Sequence, residues 1–292
     1  MNDSVSNKPK KKPVSPRRRE QSRREFLRSA ALSAGVVTAS LLGFLPVVQG
    51  SALRLRPPGA LKTPLDEQQF LSSCIKCGQC VQVCPVEAIK LADLLDGFGM
   101  GTPYIDARAQ ACDFSCDGIQ CVLACPTGSL THDLDYPADT RMGFARLDKP
   151  KACLAMQGKG FKGLARGPDY KGKLRYEDVD RWTPIPVAEY PYDLEICDLC
   201  VRQCPIEIRI AQCASEDASS EAVNTARVAQ KVGHECPPKH AIRLEPVDGG
   251  AGANAMRPVV LEGCVGCGVC EMICPAEPVA IVVDIDKTTD TV

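Results

Sequence analysis

Four short runs of cysteine, each closing on Cys-Pro, limit what this chain can fold into. The first is Cys74-x2-Cys77-x2-Cys80-x3-Cys84-Pro85, and the last, Cys264-x2-Cys267-x2-Cys270-x3-Cys274-Pro275, repeats its spacing. The second, Cys112-x3-Cys116-x4-Cys121-x3-Cys125-Pro126, has a stretched front and the same tail. The third, Cys197-x2-Cys200-x3-Cys204-Pro205, is one cysteine short. A disulfide framework is permitted in an oxidising compartment, but thiols this close together, with proline repeated in one place, suit it poorly. Structural zinc sites use Cys-x2-Cys pairs, not triplets followed by a Cys-Pro.

Three thiolates two residues apart wrap three corners of a cube of iron and sulfide, and a fourth Cys-Pro reaches the neighbouring cube. The runs therefore predict four [4Fe–4S] clusters. Gly78 and Gly268 fall where a side chain would crowd the turn or the cluster. The proline fixes the backbone after the fourth cysteine, which is expected to start a helix. Apolar segments flank each run. Strands are expected at 88–91, 102–106, 145–148, 239–244, 257–261 and 279–284. A strand, cluster loop, helix and strand, repeated, predict an α+β fold of two tandem ferredoxin-like 2[4Fe–4S] units, loop-rich, with short strands and helices. Aromatic residues are only 5% of the chain, so clusters would have to supply part of what aromatic packing does elsewhere.

The chain opens on a different composition. Residues 1–52 carry ten Lys/Arg and three Asp/Glu; 35 and 36 in the whole chain leave 25 basic and 33 acidic residues for 53–292. That acidic remainder excludes a nucleic-acid partner. Ser22-Arg23-Arg24-Glu25-Phe26-Leu27-Arg28 matches the twin-arginine export pattern, and an uncharged stretch runs from Ser29 to Leu53. Export of a folded, cluster-loaded protein by the twin-arginine machinery to the periplasm is the expectation. The leader is either cleaved near Ala52 or kept as an anchor. The predicted organisation is a leader at 1–53, a first ferredoxin-like unit at 54–140 and a second at 141–292 containing an insertion at 154–196.

Beyond the cysteines, the text resembles the NapG/MauM type of periplasmic ferredoxin. Arg56-Pro57-Pro58-Gly59-Ala60-Leu61, Gly101-Thr102-Pro103-Tyr104, Arg141-Met142-Gly143, Cys153-Leu154, Ile196–Pro205 and Lys239-His240-Ala241 carry the likeness. The resemblance implies that Cys153 is the missing ligand of the third group. It also implies electron delivery from a membrane quinol dehydrogenase towards a periplasmic redox enzyme or cytochrome, in nitrate reduction or methylamine oxidation. The second group departs from the family, with three residues between Cys112 and Cys116 instead of two. So does the 43-residue spacing from Cys153 to Cys197.

With Cys153 included, crossing of the fourth cysteines predicts four quartets: Cys74, Cys77, Cys80 with Cys125; Cys112, Cys116, Cys121 with Cys84; Cys153, Cys197, Cys200 with Cys274; and Cys264, Cys267, Cys270 with Cys204. A nested arrangement, with the middle groups between the outer two, is the alternative. Cys213 and Cys236 remain. They are buried thiols, a disulfide, or, through Cys236-Pro237, a replacement for Cys153; a helix is expected between them near 218–232. The insertion holds Lys159, Lys162, Arg166, Lys171, Lys173 and Arg175 among Phe161, Tyr170, Tyr176 and Trp182. It reads as a solvated loop or as a basic docking surface.

No dinucleotide fingerprint, triad or paired-carboxylate pattern stands out, so the expected function is electron carriage with no bond chemistry. The alternatives are a cluster-bearing subunit of a stable membrane-bound redox complex and a disulfide-rich binding protein.

Overall fold

Strands this short cannot form a broad sheet, and each pairs with a single antiparallel partner. The computed structural model describes residues 23–38, 54–60, 64–93, 99–116, 119–134, 136–174, 184–219, 236–247 and 254–287. The chain divides into residues 1–51 with 95–98, and residues 52–94 with 99–292. In the first part the described element is α1, residues 23–38, a helix exposed along its length. Among the described residues no helix is long and apolar enough to cross a membrane.

Among its described residues the second part holds ten strands: β1 (Ile89–Leu91), β2 (Pro103–Ile105), β3 (Phe144–Leu147), β4 (Phe161–Leu164), β5 (Lys173–Leu174), β6 (Ile185–Pro186), β7 (Pro191–Leu194), β8 (Ile242–Pro246), β9 (Met256–Val260) and β10 (Ile281–Asp284). They pair as β1 with β2, β3 with β10, β4 with β7, β5 with β6, and β8 with β9. The expected strands are therefore present, with β8 shifted three residues towards the C-terminus. The register of β3 on β10 sets Ala145 against Val283, joining residues 138 positions apart.

Helices are α2 (Pro64–Ser73), α3 (Gln79–Gln82), α4 (Gln120–Leu123), α5 (Leu199–Arg202), α6 (Pro205–Ser219) and α7 (Val269–Ile273). One expectation fails here. Only Cys204 opens a helix, α6, where Pro205 sits at the first position and needs no amide partner. Cys84 and Cys125 instead follow α3 and α4, and Cys274 caps α7. The cysteine loops are too tight to leave more than one turn of helix between ligands. Most of the helix expected at 218–232 lies outside the described residues; its first two positions end α6.

Contacts across residues 136–141 are direct. Met142 N donates to Val265 O (2.8 Å), Cys112 N to Cys267 O (3.3 Å) and Ala111 N to Met272 Sδ (3.1 Å). Phe70, Ile119, Leu199, Met272 and Ile273 are all at most 1% exposed within one apolar cluster. The segment Arg56–Ala60 is anchored too: Arg56 Nη1 donates to Pro103 O (2.8 Å), and its guanidinium pairs with Glu67 and lies over Phe70.

The insertion is packed in part: its strands pair, and Leu174, Val187 and Tyr192 are buried. Three of its cations are engaged: Lys162 with Asp193 (2.6 Å), Lys173 with Glu87 (2.7 Å), and Arg166 with the carbonyls of Arg108 and Met272. The Gln110 side chain exchanges two hydrogen bonds with the Lys173 backbone, at 2.7 and 2.9 Å. The insertion thus straps the loop before Cys112 and the turn after Cys84 to the rest of the core. Arg175, Tyr176 and Trp182 lie outside the described residues.

Candidate metal centre

The sixteen cysteines of the four groups are free thiols, and they come together four by four. In the first quartet, burial and then the charges of Cys74, Cys77 and Cys125 push the Cys80 thiol up to about 11. In the second, burial drives Cys112 well above its ordinary value, helped by Cys116, Cys121 and Cys84. In the third, burial raises Cys200, and Cys197, Cys153 and Cys274 add to it. In the fourth, burial raises Cys267, with Cys204 and Cys264 beside it. Burial also holds Cys204 at about 12. These are the four sets obtained by letting each fourth cysteine cross to its neighbour. The nested alternative is not seen: Cys84 stands with Cys112, not Cys264.

Local backbone aims the thiols. Gly78 and Gly268 adopt left-handed conformations (φ 76° and 88°) at the N-caps of α3 and α7, turning the chain so that consecutive cysteines face one space. Two of these spaces are small apolar pockets. One is lined by Cys74, Cys77, Cys80 and Cys125; the other by Cys200, Cys204, Cys264, Cys267 and Cys270. Amides point at sulfur: Ala88 N to Cys84 Sγ (3.3 Å), Leu130 N to Cys125 Sγ (3.4 Å) and Ala145 N to Cys264 Sγ (3.5 Å). Burial alone would raise Cys125, but amides of Leu130, Thr127 and Ser129 and the Thr127 hydroxyl outweigh it and lower the thiol.

The donor set fits an iron–sulfur core. Four thiols gathered in apolar surroundings resist ionisation, and a bound cation reverses that by taking them as thiolates. Four sulfurs around one zinc would stand only about 3.8 Å apart. Among the described residues, no three His, Cys, Asp or Glu groups stand close enough to hold a single ion. A cube of iron and sulfide spreads the same four ligands wider.

The quartets form a row. Cys80 of the first is among the charges acting on Cys121 of the second. Cys112 of the second is hydrogen-bonded to Cys267 of the fourth. Cys200 of the third acts on Cys270 of the fourth. The order is first, second, fourth, third. Cys77, at the end of this row, is the exposed one among the sixteen thiols.

Cys213 and Cys236 form a disulfide, which settles their open assignment and leaves Cys153 in the third quartet. The bridge ties α6 to the approach of β8. Glu207 reinforces it, accepting from Ala241 N, which is at 2.6 Å, and Ile242 N (3.1 Å). Nothing in the sequence singled out Glu207, nor the pairing of Arg108 with Arg166 near Cys274; both depend on residues far apart along the chain.

Known families match the chain at its cysteine runs. The 4Fe-4S dicluster domain family matches residues 73–129, and the 4Fe-4S binding domain family matches 261–277. The ferredoxin-type protein NapG of Escherichia coli K12 is 33% identical over 265 residues, covering 90% of this chain and 85% of that protein. NapG of Haemophilus influenzae is 30% identical, over 89% and 70%. The methylamine utilization ferredoxin-type protein MauM of Paracoccus denitrificans is 33% identical over 195 residues, or 64% and 84%. No solved structure matches the chain. At 33% and 30% identity to the two NapG proteins across about nine-tenths of its length, the chain belongs to the NapG/MauM family of ferredoxin-type proteins.

Proposed function

We propose that this chain is an exported electron carrier that holds four [4Fe–4S] clusters on its four cysteine quartets and catalyses no bond chemistry. The row of quartets carries the reading, since neighbouring ligand loops touch from one end to the other. When bound, the clusters supply reversible one-electron storage. The chain's own part is to hold sixteen thiolates at fixed separations, keep water from most of them, and aim amide dipoles at selected sulfurs. Each such dipole favours the reduced, more negative state. The donor is a membrane quinol dehydrogenase and the acceptor a periplasmic oxidoreductase or cytochrome. The relative MauM, a methylamine utilization protein, supports one such setting, an amine dehydrogenase; a nitrate reductase is the other.

Location follows from two features. Arg23-Arg24 precedes an uncharged stretch, as twin-arginine export requires. The Cys213–Cys236 disulfide suits an oxidising compartment. A strain lacking the chain is expected to lose most quinol-dependent electron flow to the periplasmic acceptor. The wild-type chain restores it, while an Arg23→Lys/Arg24→Lys variant accumulates in the cytoplasm with its clusters and restores none. Undiminished flow in the deleted strain, or full rescue by the double variant, contradicts the proposal.

A further inference from the structure

Two arginines from distant parts of the chain meet at the end of α7. Arg108, from the loop before Cys112, donates through Nη1 to the carbonyls of Glu271 (2.7 Å) and Cys274 (2.8 Å) and through Nη2 to Glu277 Oε1 (2.7 Å). Arg166, from the insertion, donates through Nη1 to the carbonyls of Arg108 (3.0 Å) and Met272 (2.9 Å). Its guanidinium lies 4.4 Å over the Tyr170 ring, and the Tyr170 hydroxyl donates to Ala109 O (2.6 Å).

Capping explains one of them. The last carbonyls of a helix lack intrahelical partners, and Arg108 takes two in this region. Arg166 adds a second positive charge to the same place. Burial first and then Arg108 act against its charged form, while Tyr170, Glu277 and the Cys274 thiolate favour it. The carboxylates facing the pair are Glu277, which is largely exposed, and Glu271, whose Oε2 accepts from Val283 N (2.8 Å). Cys274 belongs to the third quartet, at the far end of the row. Four thiolates outweigh the positive charge of a cluster core, and reduction adds one more electron. A fixed cation beside one ligand favours that electron, more so in surroundings from which water is partly excluded.

We infer that Arg166 is a positioning residue of electrostatic kind: seated with Arg108 on the carbonyls leading to Cys274, it raises the reduction potential of the cluster held by Cys153, Cys197, Cys200 and Cys274. The insertion thereby sets the terminal site of the row apart from the other three. The inference rests on the assignment of that quartet to a cluster.

The test is a redox titration of the anaerobically purified, cluster-loaded full chain, followed by electron paramagnetic resonance, with iron counted on the same samples. In Arg166→Gln one transition moves to lower potential and the others stay. Arg166→Lys, which keeps the charge, leaves that transition nearer its wild-type position. Glu277→Gln removes an exposed opposing charge and moves the same transition upwards. All transitions unchanged in both Arg166→Gln and Glu277→Gln, at full iron content, overturns the inference. Should Arg166→Gln lose iron, Glu277→Gln decides alone: an upward shift supports it and no shift overturns it. Iron short of four clusters in the wild type contradicts the cluster assignment instead.

Discussion

Replacing Cys153 by serine is expected to remove one whole cluster, taking iron from roughly 16 to roughly 12 per chain. Cys153 lies 44 positions before Cys197, yet it faces Cys197, Cys200 and Cys274, and its charge acts on two of them. A serine oxygen is a poor substitute for a thiolate on iron. The matching control is Cys213→Ser/Cys236→Ser. That double variant breaks the disulfide but touches no quartet, so its iron is expected to stay complete while its thermal midpoint falls, by the equivalent of about 2–4 kcal/mol. Iron lost from the double variant and retained in Cys153→Ser would place the ligand at Cys236.

Gly266→Ala is expected to damage the fold severely for a change of one methyl group. Gly266 has φ 71°, and a Cβ there would lie 2.3–2.4 Å from the backbone N, O and C of Gly143. The left-handed conformation alone costs a non-glycine residue ~1–2 kcal/mol. The overlap cannot be relieved by a side-chain rotation, because the obstacle is backbone. Displacing Gly143 also strains the Met142 N to Val265 O bond and the start of β3, where Ala145 N points at Cys264 Sγ. A total loss of ~4 kcal/mol or more is expected, with iron lost from the fourth quartet. Gly78→Ala is the comparison. Its φ is 76°, yet nothing lies within 4 Å of its added Cβ, so it should cost only ~1–2 kcal/mol and keep its iron. Guanidinium unfolding of the loaded proteins, read by loss of the visible cluster absorbance, measures both. Equal midpoints for the two variants would refute the account of this contact.

The ligand loops were legible in the sequence because their spacing is set by a small rigid object. Cys-x2-Cys-x2-Cys leaves the chain few ways to turn, and the crossing of Cys84, Cys125, Cys204 and Cys274 follows from the same constraint. The six strands outside the insertion were legible for a related reason, since runs such as Ile281–Asp284 are β-branched and bounded by turn residues, whereas β4–β7 were not expected. What stayed hidden depends on long-range packing. The fourth cysteines were expected to start helices, and only Cys204 does so, because nothing local to Cys-Pro decides whether the next residues continue or turn. The insertion looked basic and solvated from its composition. Three of its cations, Lys162, Lys173 and Arg166, are held by Asp193, Glu87 and two carbonyls, with a partner up to 106 residues away in sequence for Arg166. Glu207, which holds two amides at the start of β8, carried no spacing signal at all.

The central claim is that all four quartets hold clusters, and the chain's iron and acid-labile sulfide content tests it most directly. Anaerobically purified, fully reconstituted protein is expected to contain roughly 16 of each per chain. A reproducible content of roughly eight of each, unchanged by further reconstitution, would mean that two quartets are thiol clusters only, and would contradict the account of an unbroken row.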